Sequence, residues 1–209
     1  MRILLVIYGS LEQQTGGFRY DARLRAFLEA QGHEVHLFSQ RGGSALRRLL
    51  ADRPAALLRA VRSTHSDVVL EDELNHLSLR RSNRRVKRET GVPIIAIVHH
   101  LAASEEHGWV GGFLLGRLER AYLSTVDGAI YNTPVTRDDV SALLSRELPG
   151  VVSLPSTDAL PAPGQKDAPD REAIGPNRVI SADRQPGPLR LLTVGSLTRR
   201  KRIDAVIGA

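Results

Sequence analysis

The chain contains no cysteine. That excludes disulfides and thiolate metal sites, and it leaves the redox compartment open. Lysine is scarce as well: only Lys87, Lys166 and Lys201 occur, so arginine supplies most of the 29 basic residues that outnumber 23 acidic ones. Aromatic residues make up only 4% of the sequence. No stacking or groove-reading pattern accompanies them, so nucleic acid is not an expected partner. No stretch approaches the ~20 consecutive apolar residues of a membrane span. The opening run "MRILLVIYGS" is short for a secretory leader and is followed by no small-residue cleavage site. A cytoplasmic protein is expected, free or held peripherally at the inner surface of a membrane.

What is present reads as an alternation of strands and helices. Residues 2–8 are apolar on both alternations, as a parallel strand covered on both faces requires. A helix is expected at about 19–31, with Leu24, Phe27 and Leu28 on one face and Gly32 ending it. "HEVHLFS", "DVVLED", "VPIIAIVHH", "DGAIYN" and "GVVSLP" follow as further strands. Between them lie two short leucine/arginine helices over 44–63, a helix around 112–124, and one capped by Thr133. The alternation predicts an α/β domain built on a doubly wound parallel, Rossmann-like sheet over residues 1–154.

Residues 155–188 carry seven of the eleven prolines and read as a linker. Then "LRLLTVGSLTRRKRIDAVIGA" (189–209) opens a second α/β unit with a strand, a glycine, a basic loop and the first turns of a helix. One βα unit cannot bury its own faces, so this second domain is expected to be truncated.

Ligands of open parallel sheets bind at the carboxyl ends of the strands. The residues predicted there are Thr15, Gly16 and Gly17 after the first strand, and Glu71, Asp72, Glu73, Asn75 and His76 after the third. His99 and His100 follow the fourth, and Asn132 and Thr133 the fifth. Gly16-Gly17 suit either a tight turn or contact with a phosphate or sugar, just before a helix whose free amides favour anions. They form no dinucleotide fingerprint. Glu73 and Asn75 are candidate substrate contacts. Glu71-Asp72-Glu73 equally suit a helix dipole, and with His76 they form no spaced ligand motif, so no metal is expected. Of His99 and His100, alternation turns one toward the core, and the other is read as a hydrogen-bond donor or proton carrier. "LRRSNRRVKRE" sets Arg80, Arg84 and Arg88 one turn apart, with Arg81 and Arg85 beside them. That stripe is either a solvated face or a contact for anionic lipid.

In order along the chain, "TGGFRYDARLRAFLEAQGHEVHLFS", "VVLEDELNHLSL", "PIIAIVHHL", "LERAYLSTVDGAIYNT" and "GPLRLLTVGSLTRRKRID" resemble GT-B-fold glycosyltransferases of family 4. The resemblance implies two Rossmann-like domains facing across a cleft, this chain holding the N-terminal one and the start of the donor-binding one. It implies retaining transfer of a sugar from a nucleotide-sugar donor to an acceptor, commonly with no metal and no other cofactor. Gly16-Gly17 would meet the donor phosphates and sugar. His100 is expected to act on the transferred sugar, with His99 as the other candidate. The second-domain turn, often G-R-L-x-x-x-K-G, matches Gly195, Leu197 and Lys201, while Ser196 and Arg202 depart from it. Lys201 and Arg200 would stabilise charge on the departing diphosphate. The family's acidic E-x7-E segment lies further on and is absent here, so a second subunit supplying it is one expectation. A non-catalytic domain that binds an acceptor, an anionic membrane surface or a partner subunit is the alternative.

Overall fold

The computed structural model describes residues 1–10, 16–40, 52–104 and 109–155, with the side chains of 104 and 109–111 left aside. These lie within one compact unit, Met1–Pro155. The expectations for Thr15, the first of the leucine/arginine helices, the linker beyond Pro155, and Arg200 and Lys201 lie outside the described residues.

The strands are β1 (Arg2–Tyr8), β2 (Glu34–Gln40), β3 (Val68–Asp72), β4 (Ile94–Val98), β5 (Gly128–Tyr131) and β6 (Gly150–Val152). They form one six-stranded sheet in the order β2-β1-β3-β4-β5-β6. Every neighbouring pair is parallel. The fold is thus the α/β, Rossmann-like parallel sheet that the alternation of elements predicts. The order reverses direction between β1 and β3, which opens a crevice at their carboxyl ends.

The helices are α1 (Gly16–Ala30), α2 (Pro54–Ser63), α3 (Arg80–Thr90), α4 (Trp109–Leu123) and α5 (Pro134–Leu144). Right-handed crossovers divide them between the two faces of the sheet. The step from β1 to β2 runs one way and puts α1 on one face, where Tyr20, Leu24 and Leu28 pack on Ile3, Leu5, Ile7, Leu70 and Ile97. The later steps run the other way. Leu57, Val86, Tyr122 and Val140 therefore pack on the opposite face with Leu4, Val6, Val69, Ala96 and Tyr131.

Strand alternation decides which polar residue reaches which face. In β3, Val69 and Glu71 point to the larger core, while Leu70 and Asp72 point to α1. In β4, Ala96 and Val98 face the larger core, and Ile97 and then His99 face α1. Polar residues late in β3 and β4 are thereby sorted onto opposite sides before any of them makes a contact.

Local signals account for most helix ends. Gly32 takes a positive φ of 80°, and the amides of Gly32 and His33 bond back to Glu29 and Leu28, closing α1. Thr133 caps α5 by accepting the Thr136 amide at 3.0 Å. Asp52 caps α3 from a distance, taking the amides of Arg81 at 2.6 Å and Ser82 at 3.1 Å. One boundary differs from expectation: α1 begins at Gly16, not near residue 19. Gly16-Gly17 are its first two residues, not a loop before it.

Candidate functional site

The first turn of α1, the end of β3 and the end of β4 converge on the α1 side of the crevice. Among the described residues, nothing lies within 4 Å of where a Gly16 side chain would project. The first turn of α1 carries no acidic residue, so no side chain of that turn offsets the positive end of the helix dipole. Gly17 is different. A methyl group there would lie 3.4 Å from His99 Cδ2 and 3.5 Å from Nε2. The His99 ring lines that side at ordinary van der Waals distance.

His99 and His100 diverge, as alternation requires. The His99 side chain is only 10% exposed, and its Nε2 lies 3.4 Å from Asp21 Oδ1. That is an ion-pair contact, longer than a well-formed hydrogen bond. Tyr20 meets the same ring edge-on, with centroids 5.2 Å apart. Burial acts to lower the His99 pKa, but the Asp21 carboxylate, and then Asp72, outweigh it and raise it. The ring is therefore biased toward its charged form. His100 instead has a side chain 42% exposed, with Nδ1 3.6 Å from Glu73 Oε1. It is the more exposed of the two.

Glu73 sits beneath both. Its Oε2 accepts the His99 amide at 2.8 Å and the His100 amide at 3.3 Å, and its Oε1 accepts the His100 amide at 3.1 Å. Asn75 is fully buried and donates to the Val6 carbonyl at 3.3 Å and the Asp72 carbonyl at 3.1 Å, tying the end of β1 to the end of β3. Glu73 and Asn75 thus stand behind the crevice wall and shape it. His76 is buried too, its Nδ1 3.0 Å from the Glu73 carbonyl.

Across the sheet, Glu71 meets Asn83 Nδ2 at 2.9 Å and the Tyr122 hydroxyl at 3.1 Å. Burial pushes its carboxyl up to about 8. Burial and the neighbouring Asp21 charge push Asp72 up to about 7, and burial raises Glu73 well above the carboxylate range. Burial thus shifts each of these three carboxyls toward its neutral form. Two of them also accept backbone amides, Asp72 from Leu74 and Glu73 from His99 and His100.

Sequence reasoning missed Asp21. Its signal lay in spacing: Gly17, Asp21, Leu24 and Leu28 share one helical stripe, and an acid inside an apolar stripe asks for a partner. It also missed Glu119, which accepts the amides of Ala102 at 2.5 Å and Ala103 at 3.1 Å and so fixes the turn after His100. Asn132 and Thr133 join a cap network through Thr136, whose hydroxyl reaches Asn132 Oδ1 at 2.7 Å and the His99 carbonyl at 3.4 Å.

The arginine stripe of α3 divides. Arg85 and Arg62 pair with Glu89 at 2.7 and 2.9 Å. Arg84 instead joins Arg117 and Arg120 around a groove of about 690 Å³ floored by Ala103, Ala121 and Leu143. Phe113 also lines it, and Phe113 and its chain neighbour Leu114 are 65% and 58% exposed. Among the described residues, no helix is long and apolar enough to cross a membrane.

No protein-family model matches the chain, and no curated protein does. Solved structures do. An alpha-glucosyltransferase in complex with UDP is 13% identical at a TM-score of 0.49, over 76% of this chain and 45% of that one. An alpha-glucosyltransferase with UDP and a 13-mer DNA is 15% identical at a TM-score of 0.42, over 64% and 37%. The glycosyltransferase SnogD from Streptomyces nogalater is 18% identical at a TM-score of 0.38, over 84% and 56%. This chain thus spans between 37% and 56% of the length of these proteins. Likenesses this weak assign neither substrate nor chemistry to it.

Proposed function

We propose that the chain is the acceptor-side part of a glycosyltransferase that moves a sugar from a nucleotide-sugar donor to an acceptor. The observation that carries this reading is that a helix start at Gly16, uncrowded among the described residues, and a half-exposed His100 both lie at the carboxyl end of the parallel sheet. The amides of the first turn of α1 receive the donor diphosphate. His100 donates a hydrogen bond to the sugar or carries its proton. Lys201 and Arg200 serve the departing diphosphate from the donor-binding side. Glu73 and Asn75 act on the substrate through the backbone they hold, and His99 through its packing beneath Gly17. The sequence resemblance to family 4 supports retention of anomeric configuration, with no metal at the reacting bond.

Titration of the isotopically labelled 209-residue protein with UDP and a panel of nucleotide sugars, followed by amide NMR, tests the reading. Shifts at Gly16, Gly17 and His100 are expected. Absence of any shift there at millimolar ligand sinks it.

The arginine groove favours a second reading, an anionic surface that holds an acceptor or a membrane. Three guanidinium groups above an apolar floor, with Phe113 and Leu114 exposed beside them, suit a lipid phosphate and its chain. Sedimentation with neutral and anionic vesicles tests it: equal binding to both removes its electrostatic basis.

A further inference from the structure

Behind Gly17, three side chains from three elements meet, with His99 Nε2 3.4 Å from Asp21 Oδ1. Asp21 and Asp72 are 0% exposed. The ligand-capable atoms of Asp21, Asp72 and His99 all lie within 4.8 Å of one another. Asp21 Oδ1 and Oδ2, Asp72 Oδ2 and His99 Nε2 are each buried and lack a hydrogen-bond partner among the described residues. Asp72 Oδ1 is already used, accepting the Leu74 amide at 3.0 Å, which fixes the carboxyl so that its other oxygen faces the group.

Buried polar atoms are ordinarily satisfied, and four that converge with no well-formed hydrogen bond among the described residues mark a place that a cation accepting their lone pairs fits. Two carboxylates and an imidazole are all lone-pair donors once deprotonated. A divalent cation satisfies them together, whereas a water could donate to only two of the four.

We infer that Asp21, Asp72 and His99 form a binding site for one divalent transition metal ion, of the zinc or manganese class. Nitrogen with two carboxylates suits those ions better than calcium, which takes six to eight oxygens. If Asp21 binds through both oxygens, the four donors suit zinc. Zinc sits about 2.0–2.2 Å from such atoms, so the group must contract modestly, by rotation of side chains that already face each other.

The ion is enclosed, below the His99 ring and away from Gly16. Its role is to lock the first turns of α1 to the ends of β3 and β4, and so to set the crevice wall. The site stands independently of the sugar-transfer reading, which places no metal at the reacting bond.

The test uses the 209-residue protein stripped with chelator, loaded with Zn²⁺ and passed through gel filtration, with bound metal counted by mass spectrometry. One retained equivalent is expected, together with a rise of several degrees in melting temperature. His99→Gln and Asp72→Asn should each weaken binding at least ~10-fold, the scale on which even supporting residues of metal sites act. His100→Ala should retain the ion. Retention below about a tenth of an equivalent, or equal retention by wild type and His99→Gln, overturns the assignment. Should those variants fail to fold, Co²⁺ titration of the wild type decides instead. Visible absorption stronger than that of the hydrated ion supports the site, and its absence overturns it.

Discussion

Gly17 and His99 pack against each other, so that a methyl group at Gly17 would touch the imidazole edge at 3.4 Å, while its neighbour Gly16 faces open space. The two glycines of one dipeptide therefore have different surroundings. Gly17 lies against a ring of the protein at a distance that would still admit a methyl group. Gly16 has no described neighbour within 4 Å.

This separation makes Gly16→Ala informative. Gly16 has no positive φ, so alanine costs no backbone strain and lowers the entropy of the unfolded chain, worth up to about 1 kcal/mol of stability. A residue kept bare for a ligand should then show opposite effects: a slightly higher melting temperature and roughly tenfold weaker UDP binding. Thermal melts and calorimetric titration of the one variant read both. Unchanged affinity alongside the gain in stability would mean that Gly16 serves no ligand.

Glu73 gives a second contrast. Glu73→Ala strips the acceptor from the amides of His99 and His100. Each buried donor left unsatisfied costs about 1–3 kcal/mol, so a loss of at least about 2 kcal/mol is expected by urea denaturation. Glu73→Gln should cost far less. One carbonyl oxygen placed at the Oε2 position still meets both amides, at 2.8 and 3.3 Å, and the native carboxyl is itself held toward its neutral form. Equal losses for the two variants would show that the negative charge, not the acceptor, is what matters.

These residues also mark where sequence reading succeeds and stops. Periodicity gave every described strand to within about two residues, because a parallel strand covered on both faces must be apolar on both alternations. Strand-end logic brought Gly16, Gly17, Glu73, Asn75, His99 and His100 into one neighbourhood, and the sheet does converge them. Direction was harder. Two adjacent histidines look equivalent in a string, and only pairing with Asp21 across the crevice makes His99 inward and His100 outward. Asp21 itself was hidden because one acid in a helix reads as surface until the stripe it shares with Leu24 and Leu28 is seen. Glu73 and Asn75 read as substrate contacts because polar residues at strand ends usually face solvent, whereas here they satisfy backbone.

Acidity offers a third expectation. Burial raises the Glu71 carboxyl from an ordinary 4.5 to about 8. The folded state holds its proton more tightly than the unfolded state does. Its contribution to stability is therefore full below about pH 4.5, falls as pH rises through about 8, and is flat beyond. In the metal-free protein, Asp72, raised from 3.8 to about 7, and His99, raised from 6.5, act with the same sign. Stability should decline by a few kcal/mol between about pH 5 and 9. Glu71→Gln keeps an acceptor for Asn83 and Tyr122 while removing the titration. It should match wild type near pH 5 and exceed it near pH 9 in denaturant midpoints. A wild-type curve that rises over this window would contradict the protonation scheme.

The two histidines should part company when each is truncated. His100 has a side chain 42% exposed, with its ring 3.6 Å from Glu73, while its backbone amide makes the hydrogen bonds to Glu73. His100→Ala should thus change stability by no more than about 0.5 kcal/mol, yet lower sugar transfer or UDP-sugar binding severalfold to a hundredfold, the range of a lost hydrogen bond to a charged or reacting group. His99→Ala removes the ring that fills the space beside Gly17, ends the contact with Tyr20, and leaves Asp21 buried with no imidazole to offset its charge. It should cost about 3 kcal/mol or more, as breaking a buried ion pair does. His99→Ala,Asp21→Asn in one chain should recover part of that loss, since the stranded charge goes with it. The discriminating measurement is the pair of ratios, stability against binding, for each single variant. If His100→Ala proves the destabilising one and His99→Ala the one that loses ligand, then the inward ring touches the substrate and the functional roles given to the two histidines are exchanged.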